Sequence, residues 1–220
     1  MMALFRFDHV FYTADNSDVL QDVDLVIEPH DFIAITGPSG SGKSTFLKLC
    51  SNLISPTKGS IFYYEQDINT LEPTAYRREV AYCFQQPVLF GDTVRENLEF
   101  PFKIRNQSYD QEQVAALCER FGLPLTLIDK THTNLSGGEK QRIALVRCLI
   151  FQPKVLLLDE ITASLDRENA LKVENAIHQM HAEGTTIVWV THDPAKIDTF
   201  VNRQIAFRAG SPNAKEVTAP

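Results

Sequence analysis

The sequence contains no hydrophobic segment long enough to cross a membrane. No apolar run approaches the ~18 residues that a membrane span requires, and the N-terminus, MMALFRFDHV, lacks the hydrophobic region of a signal peptide. We therefore expect a chain that is soluble by itself and does not insert into the membrane directly. If it works at a membrane, a partner must hold it there.

Cysteine and positive charge are also scarce. The four cysteines, at positions 50, 83, 118 and 148, show no metal-ligand spacing and no disulfide framework, which is typical of reduced thiols in the cytosol. Lys and Arg number 21 against 28 Asp and Glu, for a formal net charge of −7. Because free nucleic-acid binders are usually basic, this charge counts against DNA or RNA as a partner.

The 220 residues, 44% of them apolar, suit one domain with room for a subdomain. Short apolar segments alternate with helical patterns, which predicts an α/β fold with a mostly parallel core sheet. The first two strand candidates flank the polar turn ADNSD and form an N-terminal antiparallel β part. The strand candidates are FRFDHVFYT, DVDLVIE, DFIAIT, EVAYCF, KVLLLD, TTIVWVT and RQIAF.

Residues 92–150 lack such strands and carry helical periods in TVRENLEF, DQEQVAALCERFG and GEKQRIALVRCLIF. We predict that they form a helical subdomain inserted between two core segments, 1–91 and 151–210. The polar end of the chain, 211–220, is expected to be a loose tail.

The stretch ITGPSGSGKST, residues 35–45, fits the phosphate-loop pattern through Gly37, Gly42, Lys43 and Ser44. It follows a predicted strand and opens a predicted helix, which is the context that the pattern needs. Glycines let backbone amides approach phosphate, Lys43 reaches the β- and γ-phosphates, and the Ser44 hydroxyl ligates Mg²⁺. The remaining nucleotide-binding candidates in this loop are Pro38, Ser39, Gly40, Ser41 and Thr45.

Two carboxylates are expected to supply the metal ligand and the group that acts on water. KVLLLDE ends a buried-strand candidate in Asp159 and Glu160. Ligands in α/β folds lie beyond the carboxyl ends of the strands. We assign Asp159 to Mg²⁺, and Glu160 to the orientation or deprotonation of an attacking water.

The segment LSGGEKQR, residues 135–142, together with GPSGSGKST and LLLDE, resembles the ABC-type ATPase domain of the phosphate-loop NTPases. The resemblance runs from about Phe5 to Phe207. It implies ATP as the nucleotide and a homodimer closed head to tail on two ATP molecules. In such a dimer, the signature residues of one copy meet the γ-phosphate held by the other. The residues concerned are Ser136, Gly137, Gly138 and Glu139.

Three further residues match positions that have a known role in the family. YCFQQP, with Tyr82 and Pro87, has the form of the Q-loop, so that Gln85 would sense the γ-phosphate and the metal and link to the membrane partner. WVTHD places His192 at the position of the switch histidine that contacts the γ-phosphate. Tyr12 matches the aromatic residue that stacks on adenine.

The sequence departs from the usual family pattern in three places. The D-loop, which would place Asp166 at the dimer interface, has its first two residues swapped to Ala163-Ser164, which leaves its side-chain contacts open. Glu139 stands where many relatives have glutamine, and Ile161 replaces the proline of the usual DEPT. Neither of these last two changes removes a catalytic group, so both sites of a homodimer are expected to be complete.

The segment YCFQQPVLFGDTVRENLEFPFKIRN resembles the ATP-binding subunit of a bacterial iron exporter. That resemblance implies two copies paired with two copies of a separate multi-span permease at the cytoplasmic face of the inner membrane. Two alternatives stay open: the ATPase of another transporter of amino acids, phosphate or metal, and a soluble ABC ATPase such as one serving iron–sulfur cluster assembly. The chain lacks the long coiled-coil insertion expected of a DNA-repair ABC protein.

Overall fold

A computed structural model of the chain describes residues 2–191, 201–208 and 211–218, the last of these by backbone alone. The chain forms two compact units. The first comprises Met1–Tyr82, Lys154–Asp159 and Gly184–Pro220, and the second comprises Cys83–Pro153 and Glu160–Glu183.

An antiparallel sheet forms the N-terminal part of the first unit. Its strand order is β2-β1-β4-β5. The first two strands join through Asp15 and Asn16, which both have positive φ angles, 48° and 59°, as a two-residue hairpin turn of type I′ requires. The predicted antiparallel part and its polar turn are thus present. The strands are β1 (Phe5–Ala14), β2 (Ser17–Ile27), β4 (Lys58–Tyr63) and β5 (Gln66–Asp67).

The second sheet has the order β10-β9-β3-β8-β7-β6. Strand β3 runs parallel to both β8 and β9, and β7 runs parallel to β8. Strands β7 and β8 are buried at every residue, as continuous apolar runs predict for a central parallel strand. The predicted α/β class with a mostly parallel core sheet is confirmed. The strands are β3 (Phe32–Thr36), β6 (Val80–Cys83), β7 (Val155–Asp159), β8 (Thr186–Val190), β9 (Arg203–Arg208) and β10 (Ser211–Thr218).

The expected loose tail needs correction over most of its length. Ser211–Thr218 forms β10, which pairs antiparallel with β9, for example Lys215 with Ala206 and Val217 with Gln204. A polar composition does not prevent such pairing, because the ladder is made by backbone N–H and C=O groups. The edge of the parallel sheet supplies those partners, and no local sequence signal reveals them.

Six α-helices lie among the described residues. In the first unit, α1 (Lys43–Cys50) follows β3 and α2 (Pro73–Glu79) precedes β6. The second unit is the more helical, and it extends past the predicted segment 92–150 to take in α6. Its helices are α3 (Val94–Lys103), α4 (Gln111–Arg120), α5 (Gly137–Leu149) and α6 (Arg167–Ala182).

A stack of aromatic rings fixes α1 in the first unit. The ring of Phe46 on α1 lies 4.8 Å from that of Phe7 on β1 and 5.3 Å from that of Phe207 on β9. All three side chains are buried. Helix α1 is therefore held between the two sheets. The loop that precedes it thus ends at a helix whose position is fixed by packing. None of the described helices is both long and apolar enough to cross a membrane.

Candidate nucleotide-binding site

The loop between β3 and α1 depends on glycine for its backbone conformation. Gly37, Gly40 and Gly42 have φ angles of 142°, 77° and 93°, which residues with a side chain rarely adopt. Gly42 is the N-cap of α1 and supplies no side-chain cap. The amides of the first turn are therefore left without a capping side chain, which suits an anion at the helix N-terminus.

Two of these glycines are also required by close packing. A Cβ on Gly37 would lie 2.2 Å from the carbonyl oxygen of Phe207, and one on Gly42 would lie 2.7 Å from Leu20 Cδ2. A Cβ on Gly40 would meet nothing within 4 Å. The loop is thus tightly packed against other parts of the first unit at Gly37 and Gly42, whereas it faces open space at Gly40.

The polar side chains of the loop converge on its interior. The ammonium of Lys43 donates to the carbonyl oxygens of Gly37 and Pro38, at 2.9 and 2.8 Å. The buried Ser41 hydroxyl has no hydrogen-bond partner in the described part of the chain. Backbone amides at a helix N-terminus, a lysine and an unpartnered hydroxyl are the groups that bind a phosphate chain.

Asp159 accepts two hydrogen bonds at the end of β7. Ser44 Oγ donates to Asp159 Oδ1 at 3.0 Å, and the Tyr82 hydroxyl donates to Asp159 Oδ2 at 2.8 Å. The Ser44 hydroxyl and the Asp159 carboxylate, predicted as metal ligands, are therefore adjacent. Their oxygens are of the kind that Mg²⁺ prefers, so this pair fits the ion. Sequence analysis assigned no role to the Tyr82 hydroxyl, although a buried tyrosine usually needs a partner for that group.

Gln85 and Glu160 meet in the second unit. The side-chain amide of Gln85 donates to Glu160 Oε2 at 3.1 Å. Glu160 also has a left-handed backbone conformation, with φ at 48°. Such strain in a residue other than glycine is often found at functional sites. The two residues that the sequence assigned to sensing and to water activation therefore act on each other directly.

The segment that opens α5 is organised as a capping box. Ser136 Oγ accepts from the Glu139 amide at 3.2 Å, and Glu139 Oε2 accepts from the Ser136 amide at 2.7 Å. The hydrogen bond from the Ser136 amide lowers the pKa of Glu139. Either glutamate or glutamine can make this contact, which explains why the departure at Glu139 is tolerated. The Ser136 hydroxyl can still donate its proton to an anion.

The loop before α6 packs against the start of α5. Asp166 caps α6 by accepting from the Asn169 amide at 2.9 Å, and this hydrogen bond is the main cause of the lowered pKa of Asp166. A Cβ on Gly138 would lie 3.1 Å from Leu165 Cδ2, whereas one on Gly137 would meet nothing within 4 Å. Gly138 therefore permits a close approach of the two loops, a role that the sequence motif did not reveal.

Two predicted residues remain to be placed. Tyr12 is half-buried on β1, opposite Leu20, the residue whose side chain packs at Gly42. It therefore lies on the strand pair that supports the phosphate loop. His192 falls outside the described residues, which stop in this region at Thr191, just after β8.

Two neighbouring residues of α5 have contacts that sequence analysis missed. The Gln141 amide donates to the carbonyl oxygen of Phe84 at 3.2 Å. The buried Arg142 guanidinium donates to the Gly122 carbonyl oxygen at 2.8 Å and to Asn169 Oδ1 at 2.6 Å. These contacts depend on distant parts of the chain, and a polar helix gives no signal for them.

Comparison with known proteins identifies the family of the chain. Residues 20–163 match the family described as "ABC transporter". The chain is 46% identical over 196 residues to the "Probable iron export ATP-binding protein FetA" of Escherichia coli (strain K12), covering 89% of this chain and 87% of that protein.

Solved structures give the same fold. A dimeric structure of MJ0796, a bacterial ABC transporter cassette, matches with a TM-score of 0.84 and 27% identity, covering 97% of this chain and 98% of that one. A dimeric post-hydrolysis state of MJ0796 bound to ADP and Pi matches with a TM-score of 0.85 and 26% identity, at the same coverage.

We expect Gly37→Ala to be more damaging than Gly40→Ala, although both place alanine at a positive φ. Alanine at position 40 faces open space and should cost about 1–2 kcal/mol of unfolding free energy from backbone strain. Alanine at position 37 also clashes with a backbone carbonyl, and should cost on the order of 3 kcal/mol or more. Urea unfolding measures both values, and equal losses would contradict the packing described for Gly37.

Proposed function

The chain belongs to the ABC transporter family and is an ABC ATPase, and from that premise we propose that it energises iron export through a separate permease subunit. The observation that supports iron as the cargo is the similarity to FetA, which spans most of both proteins. An ATPase subunit does not need an iron site of its own, because the permease would carry the substrate.

We assign ATP binding in each copy to the phosphate loop. Its backbone amides and the residues from Gly37 to Thr45 would surround the triphosphate, with Lys43 at the β- and γ-phosphates. Tyr12 would stack on the adenine. The unpartnered Ser41 hydroxyl and the uncapped start of α1 support this assignment, since an anion would satisfy both.

We assign Mg²⁺ to Ser44 and Asp159, with Gln85 as a further contact. When bound, the ion would neutralise phosphate charge as the reaction proceeds. Tyr82 holds one carboxylate oxygen of Asp159, and it would thereby keep the other oxygen turned toward the Ser44 hydroxyl.

Glu160 would align the attacking water in line with the γ-phosphate. Its hydrogen bond from Gln85 restricts the carboxylate to one orientation and so connects a γ-phosphate sensor to the proposed base. His192 would contact the γ-phosphate from the end of β8. Catalysis of this kind consists mainly of positioning and charge neutralisation.

The second copy would complete each site. Two copies would close head to tail on two ATP molecules, with Ser136, Gly137 and Gly138 of one copy donating to the γ-phosphate bound by the other. Asp166 would lie in the same interface, and C₂ symmetry would make the two sites equivalent. Hydrolysis would remove the bridging phosphate, and the dimer would then open.

We propose that the permease docks on an exposed apolar surface beside Gln85, which we call the Q-loop surface. The Phe90 and Phe100 rings contact each other at 4.6 Å. Arg147 lies over the Phe90 ring at 4.7 Å and donates to the Val88 carbonyl oxygen at 2.8 Å. Adjacent exposed apolar side chains of this kind often mark a protein interface. The surface consists of Phe84, Val88, Phe90, Phe100 and Ile104. Docked there, the protein would be peripheral to the cytoplasmic face of the membrane.

Glu160→Gln should reduce steady-state ATP hydrolysis by about 100-fold or more while leaving ATP binding intact, because the amide cannot act as a base. ATP should then trap a dimer that gel filtration detects. Glu168→Gln, an exposed change on α6, is the matched control and should retain activity. Near-normal phosphate release by the Glu160 variant would exclude the role proposed for this residue.

Val88→Asp should reduce copurification with a multi-span permease in detergent by about 10-fold, as expected for loss of an apolar interface contact. Hydrolysis by the isolated chain should stay within about twofold. Leu171→Asp on α6 is the control, since Leu171 is 50% exposed and Val88 is 64% exposed. Equal losses of copurification in the two variants would contradict docking on the Q-loop surface.

Deletion of the protein should raise cellular iron and peroxide sensitivity if it drives iron export. Complementation with the unaltered chain should reverse both effects, and complementation with Glu160→Gln should not. Unchanged iron content would overturn the export proposal. Copurification with a soluble scaffold in the absence of detergent would instead favour a role in iron–sulfur cluster assembly.

A further inference from the structure

The carboxylate of Asp166 is held by a single residue, Asn169, at the start of α6. Asp166 Oδ1 accepts from the Asn169 backbone amide at 2.9 Å, and Asp166 Oδ2 accepts from the Asn169 side-chain amide at 2.6 Å. A helix N-cap needs only the first of these hydrogen bonds. The second occupies the other carboxylate oxygen and thereby fixes the rotation of the Asp166 side chain.

The buried guanidinium of Arg142 determines which way the Asn169 side chain points. Arg142 is only 7% exposed, and its Nη1 donates to Asn169 Oδ1 at 2.6 Å and to the Gly122 carbonyl oxygen at 2.8 Å. Because arginine has only donors, the group of Asn169 that faces it must be the carbonyl oxygen. The NH₂ group is therefore turned toward Asp166. A carboxylate at position 169 could accept from Arg142 but could not donate to Asp166.

The loop that ends at Asp166 presents Ala163, Ser164 and Asp166 to solvent. The Leu165 amide donates to the Thr162 carbonyl oxygen at 3.1 Å, which bends the chain just before Asp166. The two hydrogen bonds of the Asp166 carboxylate then fasten the end of the loop to α6. A loop whose shape is already fixed loses little conformational entropy when a partner binds it, and this favours binding.

We propose that Asn169 is a positioning residue, which holds Asp166 and the loop before it in the conformation that a second copy of this chain binds. This role rests on the proposed head-to-tail dimer, in which Asp166 lies at the interface. Asn169 lies outside the segments assigned to nucleotide contact. Its effect is therefore on the dimer and not on ATP binding by one copy.

Asn169→Asp changes this network at one atom. The new carboxylate cannot donate to Asp166 and places a second negative charge beside it. The loop then samples other conformations, and the apparent dissociation constant of the dimer rises as the competent fraction falls. Loss of a hydrogen bond to a charged group corresponds to about tenfold or more per loop. Since a C₂ dimer contains this loop twice, the dimer should weaken by about 100-fold.

The test uses the full chain in the Glu160→Gln background, where ATP should trap the dimer. Sedimentation velocity with ATP and Mg²⁺ over a range of protein concentrations gives the dissociation constant of the dimer. Binding of a fluorescent ATP analogue, at a concentration where the chain is monomeric, gives the affinity of the single site. Asn169→Asp should raise the first constant by about 100-fold and change the second by less than about twofold. A general loss of folding would weaken both.

An exchange of the two side chains tests the hydrogen bond itself. In the double variant Asp166→Asn with Asn169→Asp, the new amide at position 166 can donate to the new carboxylate at position 169, which still accepts from Arg142. The hydrogen bonds and the net charge are thereby kept. The dimer should return to within about threefold of the parent, as a double-mutant cycle shows for residues in direct contact.

Asn69→Asp is the matched control. Asn69 stands in the same relation to Asp67: its backbone amide and its side-chain amide donate to Asp67 Oδ1 at 2.9 and 3.1 Å, and its own Oδ1 accepts from Ser55. Asp67 and Ser55 have no part in the proposed interface. This variant should therefore leave the dissociation constant of the dimer unchanged.

Three outcomes would each overturn the role of Asn169: an unchanged dimer in Asn169→Asp, equal weakening by Asn69→Asp, or an exchange that does not restore the dimer. If Asn169→Asp does not fold, Asn169→Ala removes the donor without adding charge and should weaken the dimer at least about 10-fold. Absence of any ATP-dependent dimer in the Glu160→Gln parent would overturn the proposed dimer and this role with it, so the two failures are distinguishable.

Discussion

The carboxylate of Asp159 is the group on which the arrangement of the first unit's site depends. It joins the end of β7 to the first turn of α1 through Ser44 and to β6 through Tyr82. Three elements that are distant in sequence are thereby brought to one point, and the Phe46 ring holds α1 in place behind them. Each of the two hydrogen bonds involves a charged acceptor in a mostly buried setting, where such bonds are stronger than neutral ones. Lys43, the first residue of α1, is thereby held in place, as a preorganised phosphate site requires.

In the second unit, helix α5 is the element that joins several of the proposed functional regions. Its N-terminus carries the capping box of Ser136 and Glu139, and its middle reaches Phe84 through Gln141. Its last turn carries Arg147, which contacts Val88 and Phe90 of the Q-loop surface. A single helix therefore connects the region proposed to meet a second copy with the region proposed to meet a permease.

Local patterns predicted the elements whose structure is determined locally. The glycine spacing identified the phosphate loop, because residues other than glycine rarely adopt the φ angles found at positions 37, 40 and 42. Continuous apolar runs identified β3, β7 and β8, because both faces of each strand are buried. Strand β4 gave no such signal, since Lys58, Gly59 and Ser60 favour a turn, and it becomes a strand only by pairing with β1. Strand β10 and the Tyr82–Asp159 hydrogen bond likewise depend on distant partners, and the role of His192 stays a prediction.

The approach of Leu165 to Gly138 has a mechanical consequence. A Cβ at position 138 would lie 3.1 Å from Leu165 Cδ2, so the glycine lets the loop before α6 approach the start of α5 closely. Dense packing of this kind transmits displacement with little compression. The two segments proposed to face a second copy therefore pack against each other, and we expect a displacement at Ser136 to be passed to the loop that carries Asp166. In the proposed dimer, this contact would connect the signature residues at one nucleotide with the loop at the interface.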